Sequence, residues 1–79
     1  MNSIELYTPV RIVKMLRETH EYDEWKVNKR KPEIGEIGVY IDVLQAAGLP
    51  DLHVVEHTDS DGTTIWLSGF LIEELEASD

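Results

Sequence analysis

Apolar and polar residues alternate along most of the second half of the chain, which is typical of β-strands. The alternation is clearest over residues 37–45, 52–58 and 63–68, where β-branched and aromatic residues also predominate. A tight hairpin is predicted between the last two strands, because the intervening Asp-Ser-Asp-Gly combines Asx side chains, which cap their own turn, with a glycine that tolerates positive φ. Asp61 and Gly62 lie in this predicted turn.

The pattern of residues 8–15 is compatible with both a helix and a strand. Thr8 and Pro9 make a suitable N-cap and first helical residue, and the apolar residues after them keep helical spacing. The same stretch is also rich in β-branched residues, and proline is tolerated at the first position of a strand. The pattern alone does not decide between helix and strand.

Residues 17–32 are predicted to form a long surface loop. The segment is strongly charged, and its apolar residues are Tyr22, Trp25 and Val27. Loops of this length are unusual in small domains, so this one is expected to be functional or partly helical. The last segment, residues 69–79, is predicted to contain a short helical turn, with a final strand as an open alternative.

Two glycines ahead of the first clear strand raise the question of a phosphate-binding loop. Gly35 and Gly38 stand three apart, but a dinucleotide or P-loop signature requires a strand before the glycines and a helix after them. Here a strand follows, and the lysine or further glycine of such loops is missing. We therefore predict that both glycines serve a sharp turn that leads into the strand.

The order of these segments resembles a known family. The stretches ELYTPVRIV, IGEIGVYIDVL, HVVE, DGTTIWLS and EELE are similar to those of short, uncharacterised bacterial proteins built as SH3-like barrels, a fold shared with KOW-type domains. The resemblance covers nearly the whole chain, residues 1–79, as one domain. It implies a mostly β fold, a small five-stranded barrel with a long loop after strand 1, and it favours the strand for residues 8–15. It implies no activity. The chain departs from the family in the length of this loop and in His53 and His57.

Charge divides the chain into two unequal parts. The formal net charge is −9. All seven Lys and Arg residues precede residue 32, and the same stretch holds five acids. Residues 32–79 carry eleven acids and no Lys or Arg. An acidic surface repels nucleic acid and anionic lipid over a Debye length of about 8 Å, so nucleic acid is an unfavourable partner and a basic protein is a better one. Acidity that only maintains solubility is the simpler alternative.

No residue set in the sequence predicts catalysis, a cofactor or a metal site. His53 and His57 stand four apart on a predicted strand, roughly 13 Å from one another, too far to share a metal. The aspartates near residue 60 resemble the start of a calcium-binding loop. Gly62 and Phe70, however, stand at positions where a calcium-binding loop requires other residues. A chain this short is also expected to have little volume for a cleft.

The aromatic residues of the loop are the main functional lead. Tyr22 and Trp25 are predicted to form an aromatic groove for an extended peptide, with a loop folded back over the core as the alternative. The acidic C-terminal residues Glu73, Glu74 and Glu76, expected to be exposed, are predicted to bind the partner electrostatically.

Three functions from different classes follow from these features. The first is a non-enzymatic, cytoplasmic protein-interaction module of a regulatory, antitoxin or immunity type, in keeping with the missing cysteines and the lack of an apolar run that could span a bilayer. The second is a KOW-like RNA- or ribosome-associated protein that uses Lys26, Lys29, Arg30 and Lys31. The third is an acidic mimic of nucleic acid. A homodimer through an edge strand or loop exchange is a further hypothesis.

Overall fold

The computed structural model describes residues 4–78, which form one five-stranded antiparallel sheet and two short 3-10 helices. The strands are β1 Pro9–Ile12, β2 Ile37–Leu44, β3 Leu52–Thr58, β4 Thr64–Phe70 and β5 Leu75–Ala77. The 3-10 helices span Thr19–Tyr22 and Ile72–Glu74. The strand order across the sheet is β4-β3-β2-β1-β5, so the first strand pairs with both the second and the last.

The N-terminal segment is a strand, which excludes the helical alternative. Pro9 opens β1, and alternate burial places Val10 and Ile12 in the core. The strand ends at Ile12, three residues earlier than predicted. Just beyond the strand, the amide of Val13 still donates to the carbonyl of Glu74, the residue before β5, at 2.8 Å. The strands predicted over 37–45 and 52–58 are confirmed to within one residue, and β4 runs two residues beyond its predicted end.

One hydrophobic core lies against the inner face of the sheet. Its buried members are Val10, Ile12, Tyr22, Tyr40, Val55, Trp66, Phe70 and Leu75. Phe70 lies between two aromatic rings, with its centroid 5.9 Å from that of Trp66 and 5.4 Å from that of Tyr22. Tyr22 belongs to the long loop, whose 3-10 helix carries the ring inward. The loop therefore supplies part of the core of this small domain.

Gly35 and Gly38 have different roles, and the prediction that both serve a turn is wrong for Gly38, which lies within β2. Gly35 has φ +95° and lies in a turn where the Glu36 amide bonds to the Glu33 carbonyl at 3.2 Å. Gly38 is a buried strand residue. A Cβ there would stand 2.6 Å from Cγ1 of Val55, so the neighbouring strand leaves no room for a side chain.

The hairpin between β3 and β4 has the predicted turn. The Asp59 amide donates to the Thr63 carbonyl at 2.9 Å, and Gly62 has φ +88°. The carboxylate of Asp59 accepts from the amides of Asp61 and Thr63 at 3.1 and 3.2 Å. The turn is thus closed by local Asx bonding, which is why the sequence predicted it.

The long loop covers the outer edge of β4. The side-chain amide of Asn28 bonds the backbone of Leu67 in both directions, donating at 3.2 Å and accepting at 2.8 Å. The Lys29 amide donates to the Ile65 carbonyl at 2.8 Å. These bonds satisfy backbone groups that an edge strand would otherwise present to another chain. Neither 3-10 helix in residues 4–78 has the length and apolarity that a membrane-crossing helix needs.

Candidate protein-binding groove

The first half of the long loop is attached to the core by Glu74. This carboxylate is fully buried, and it accepts hydrogen bonds from the amide of Leu16 at 2.6 Å, the amide of Leu71 at 2.8 Å and the hydroxyl of Tyr22. The expectation that Glu74 is exposed for partner binding is therefore wrong. Three donors from two distant segments surround it, so its role in this fold is to hold the loop against the second 3-10 helix.

Glu73 and Glu76, the other two predicted acidic contacts, are exposed. Glu76 on β5 forms a surface ion pair with Arg11 on β1, and half of each side chain remains open to solvent. Such pairs contribute little to stability. The prediction that these two glutamates contact a partner stays a prediction.

Tyr22 is buried in the core and does not line a groove. Its ring packs on Phe70, and its hydroxyl accepts from the Arg17 amide at 2.9 Å while donating to Glu74. Burial, followed by the hydrogen bond to Glu74, raises the pKa of the Tyr22 phenol. For Tyr22, the alternative prediction is therefore the correct one: the loop folds back over the core.

The second half of the loop is attached by another carboxylate, Glu36. Arg30 binds it with two hydrogen bonds, of 2.8 and 2.5 Å, and the indole of Trp66 donates to it at 3.1 Å. His57 approaches it to 3.3 Å while stacking on Trp66, with ring centroids 5.3 Å apart. The pKa of Glu36 is lowered from 4.5 to about 2, and the largest cause is its hydrogen bonding to Arg30.

Between these two attachments lies an apolar groove. It consists of two adjoining depressions of about 280 and 330 Å³ that share Glu21, Leu44 and Leu52. The expectation that so short a chain has little volume for a cleft is thus wrong. The further apolar lining comes from Trp25, Ala46, Leu49, Pro50 and Leu71. Trp25 lines the second depression, whereas Tyr22 lines neither.

The groove exposes leucines that the fold does not cover. Leu44 ends β2 with 44% of its surface exposed, and Leu49 in the following turn is 67% exposed. The turn is closed by the Leu49 amide, which donates to the Ala46 carbonyl at 3.1 Å, and by Gly48 at φ +79°. Contiguous exposed apolar surface with a polar margin is typical of an interaction site.

The margin of the groove is predominantly acidic. Glu21 and Glu24 border it from the long loop. The lining also includes Arg17, but its guanidinium donates to the Gly69 carbonyl at 2.6 Å, lies 3.6 Å from Glu21 and sits over the Tyr22 ring. Arg17 and Glu21 thus pair with each other, so the negative charge that the groove offers beside its apolar surface comes from the exposed carboxylate of Glu24.

Two of the three histidines, His53 and His57, serve packing and internal hydrogen bonding. Nδ1 of His53 lies 2.9 Å from the Tyr40 hydroxyl, and burial lowers the pKa of this histidine against the opposing effect of Asp51. Nδ1 of His57 lies 2.7 Å from the Ile37 carbonyl. Within residues 4–78, no group of three His, Asp or Glu side chains is placed to hold a metal ion.

Comparisons with protein-family models, with curated proteins and with solved structures find no match to this chain. The groove must therefore be interpreted from its own chemistry. Its leucines carried no signal in the sequence, because Leu44 continues a strand pattern and Leu49 stands in a turn. Only the tertiary structure shows that Leu44 lines the same depression as Trp25 and that Leu49 lines the depression next to it.

Proposed function

We propose that this protein is a non-enzymatic interaction module that binds an extended segment of a partner protein in the groove beside Trp25. The observation that carries the proposal is the pair of adjoining apolar depressions with exposed Leu44 and Leu49. Two adjoining depressions suit a chain in extended conformation, which places alternate side chains into neighbouring pockets.

The partner segment is best matched by apolar side chains flanked by lysine or arginine. Glu24 borders the groove with an exposed carboxylate, whereas Glu21 pairs with Arg17. Opposite charges at the margin of an interface accelerate association and select among partners. This complementarity favours a basic partner and is the reason we assign the protein to a regulatory, antitoxin-like or immunity-like class in the cytoplasm.

We further propose that the sheet belongs to an SH3-like barrel. Support comes from the five antiparallel strands and from the long loop after β1, both of which the resemblance implies. In the KOW-like alternative, RNA would contact the basic end of the loop. One of its four basic residues, Arg30, is engaged by Glu36, which makes that alternative weaker.

The test is a selection of displayed random peptides on the purified protein, followed by affinity measurements at low and high salt. We expect enriched peptides with apolar residues beside lysine or arginine, and binding that Leu49→Arg reduces about tenfold or more. The matched control is Ile34→Arg, since Ile34 is similarly exposed, at 61%, and does not line the groove. Equal binding by both variants, or no enrichment at all, would refute the proposal.

A further inference from the structure

The long loop carries two adjacent blocks of opposite charge. Residues 18–24 include the acids Glu18, Glu21, Asp23 and Glu24, and residues 26–31 include the bases Lys26, Lys29, Arg30 and Lys31. Trp25 stands at the boundary between the blocks and lines the groove. A surface with neighbouring positive and negative patches can pair with its own copy about a twofold axis, because rotation brings each patch opposite its complement.

Several charges of both blocks are not used inside the molecule. Among residues 4–78, the arginines of the loop form ion pairs, Arg17 with Glu21 and Arg30 with Glu36, whereas Lys26, Lys29 and Lys31 form none. All three lysines are exposed, and so are Glu18, Asp23 and Glu24 in the acidic block. Asp23 accepts a hydrogen bond from the Asn28 side chain at 3.2 Å. The loop thus retains three ammonium groups and, in Glu18 and Glu24, two carboxylates that can meet another surface.

The backbone of the basic block is held in place. Asn28 bonds the β4 backbone through its side chain, the Lys29 amide donates to the carbonyl of Ile65, and Arg30 binds Glu36 through two hydrogen bonds. Val27, the residue immediately before these attachments, is 51% exposed. The block therefore presents an apolar side chain flanked by lysines on a preorganised backbone, which lowers the entropic cost of docking.

We propose that a second copy of this chain occupies the groove, forming a twofold dimer in which each Val27 segment, residues 26–31, docks against the acidic margin and exposed leucines of the other copy. The segment has the chemistry that the groove selects, an apolar residue between lysines, and the two surfaces adjoin at Trp25. The inference rests on the proposed function, because it treats the groove as a binding site. The inference adds a way to regulate partner binding. Dimer formation covers the groove, so self-association competes with binding of the partner.

Sedimentation equilibrium of the full chain at low and high salt tests the dimer. We expect dimers at low salt and a dissociation constant that rises about tenfold or more at high salt, because exposed charges are screened. A chain that remains monomeric at low salt over the whole concentration range would overturn the proposal.

A charge-swap experiment tests the arrangement of the interface. Lys26→Glu/Lys29→Glu and Glu18→Lys/Glu24→Lys should each weaken self-association about tenfold or more, since each places like charges opposite one another. An equimolar mixture should form a heterodimer, because both contacts then become complementary again. Lys14→Glu, an exposed lysine outside the loop, is the control, and thermal unfolding verifies that each variant is folded. Failure of the mixture to associate would refute this interface.

The selected peptides distinguish this inference from the proposed function. The monomeric Lys26→Glu/Lys29→Glu variant should bind such a peptide more tightly than wild type, because no second copy competes for the groove. Peptide binding without any wild-type dimer would overturn the dimer and leave the proposed function intact. A dimer that passes the charge-swap test but binds no peptide would refute the partner groove alone.

Discussion

The ends of the long loop and its middle use acidic residues in opposite ways. At the ends, Glu74 and Glu36 are surrounded by donors from the protein itself. In the middle, Glu24 lies at the margin of an open groove beside leucines that nothing in residues 4–78 covers. The same residue type thus anchors the loop in one region and leaves negative charge available to a partner in the other.

This contrast shows why net charge is a poor guide to function here. The value of −9 counts buried and exposed carboxylates equally. A carboxylate satisfied by internal donors contributes to folding, whereas an exposed one contributes to steering and selectivity. The comparison predicts that substitutions at the anchors change stability, while substitutions in the groove change binding.

The largest effect is expected for Glu74→Gln. An amide offers one acceptor oxygen where the carboxylate has two, so at least one of the buried donors of Leu16, Leu71 and Tyr22 loses its partner. We expect the free energy of unfolding, measured by urea titration, to fall by about 3 kcal/mol. The control is the neighbouring exposed residue: Glu73→Gln should change the free energy of unfolding by less than about 0.5 kcal/mol. Equal effects would contradict the anchor assigned to Glu74.

Glu36→Gln should have the next largest effect and a distinct pH dependence. The folded-state pKa of Glu36 is lowered, so its stabilisation is present above pH 4.5 and is lost as the pH falls toward about 2. At neutral pH we expect a loss of about 2 kcal/mol, reduced by partial solvent exposure. Urea titrations across the acid range should show a smaller pH dependence in the variant than in wild type. An unchanged slope would show that Glu36 does not titrate in this way.

Trp25→Ala should be milder for folding and severe for binding. The indole is half-buried at the groove, so its removal should cost about 1 kcal/mol of stability. Binding of the selected peptides should weaken by a larger factor, since aromatic residues are common anchors of interfaces. Calorimetric titration beside urea titration separates the two effects. A variant that loses stability but keeps its affinity would assign Trp25 to packing alone.

Leu49→Ser should have the smallest effect on stability, below about 0.5 kcal/mol, because the side chain is already 67% exposed. A decrease in peptide affinity is nevertheless expected. Stability and affinity that both remain at wild-type values would place the binding surface elsewhere.

Local sequence patterns were sufficient to predict β2, β3, β4 and the β3–β4 turn. Alternation over residues 37–44 and 52–58 is a local property, and Asp59 and Gly62 supply local turn chemistry, so a short window of sequence carries both signals. The segment at Pro9 was ambiguous because its pattern is compatible with two local structures. Pairing with β2 and β5 selected the strand.

Only the tertiary structure decided which carboxylates are buried and where the groove lies. Glu74 meets Leu16 and Tyr22 across 58 and 52 positions of sequence, and neither distance is encoded in a pattern around residue 74. The groove similarly joins Trp25 of the loop with Leu49 of a distant turn. Burial and adjacency depend on how whole elements pack, and this is why identical glutamates became a core anchor in one place and a charged margin in another.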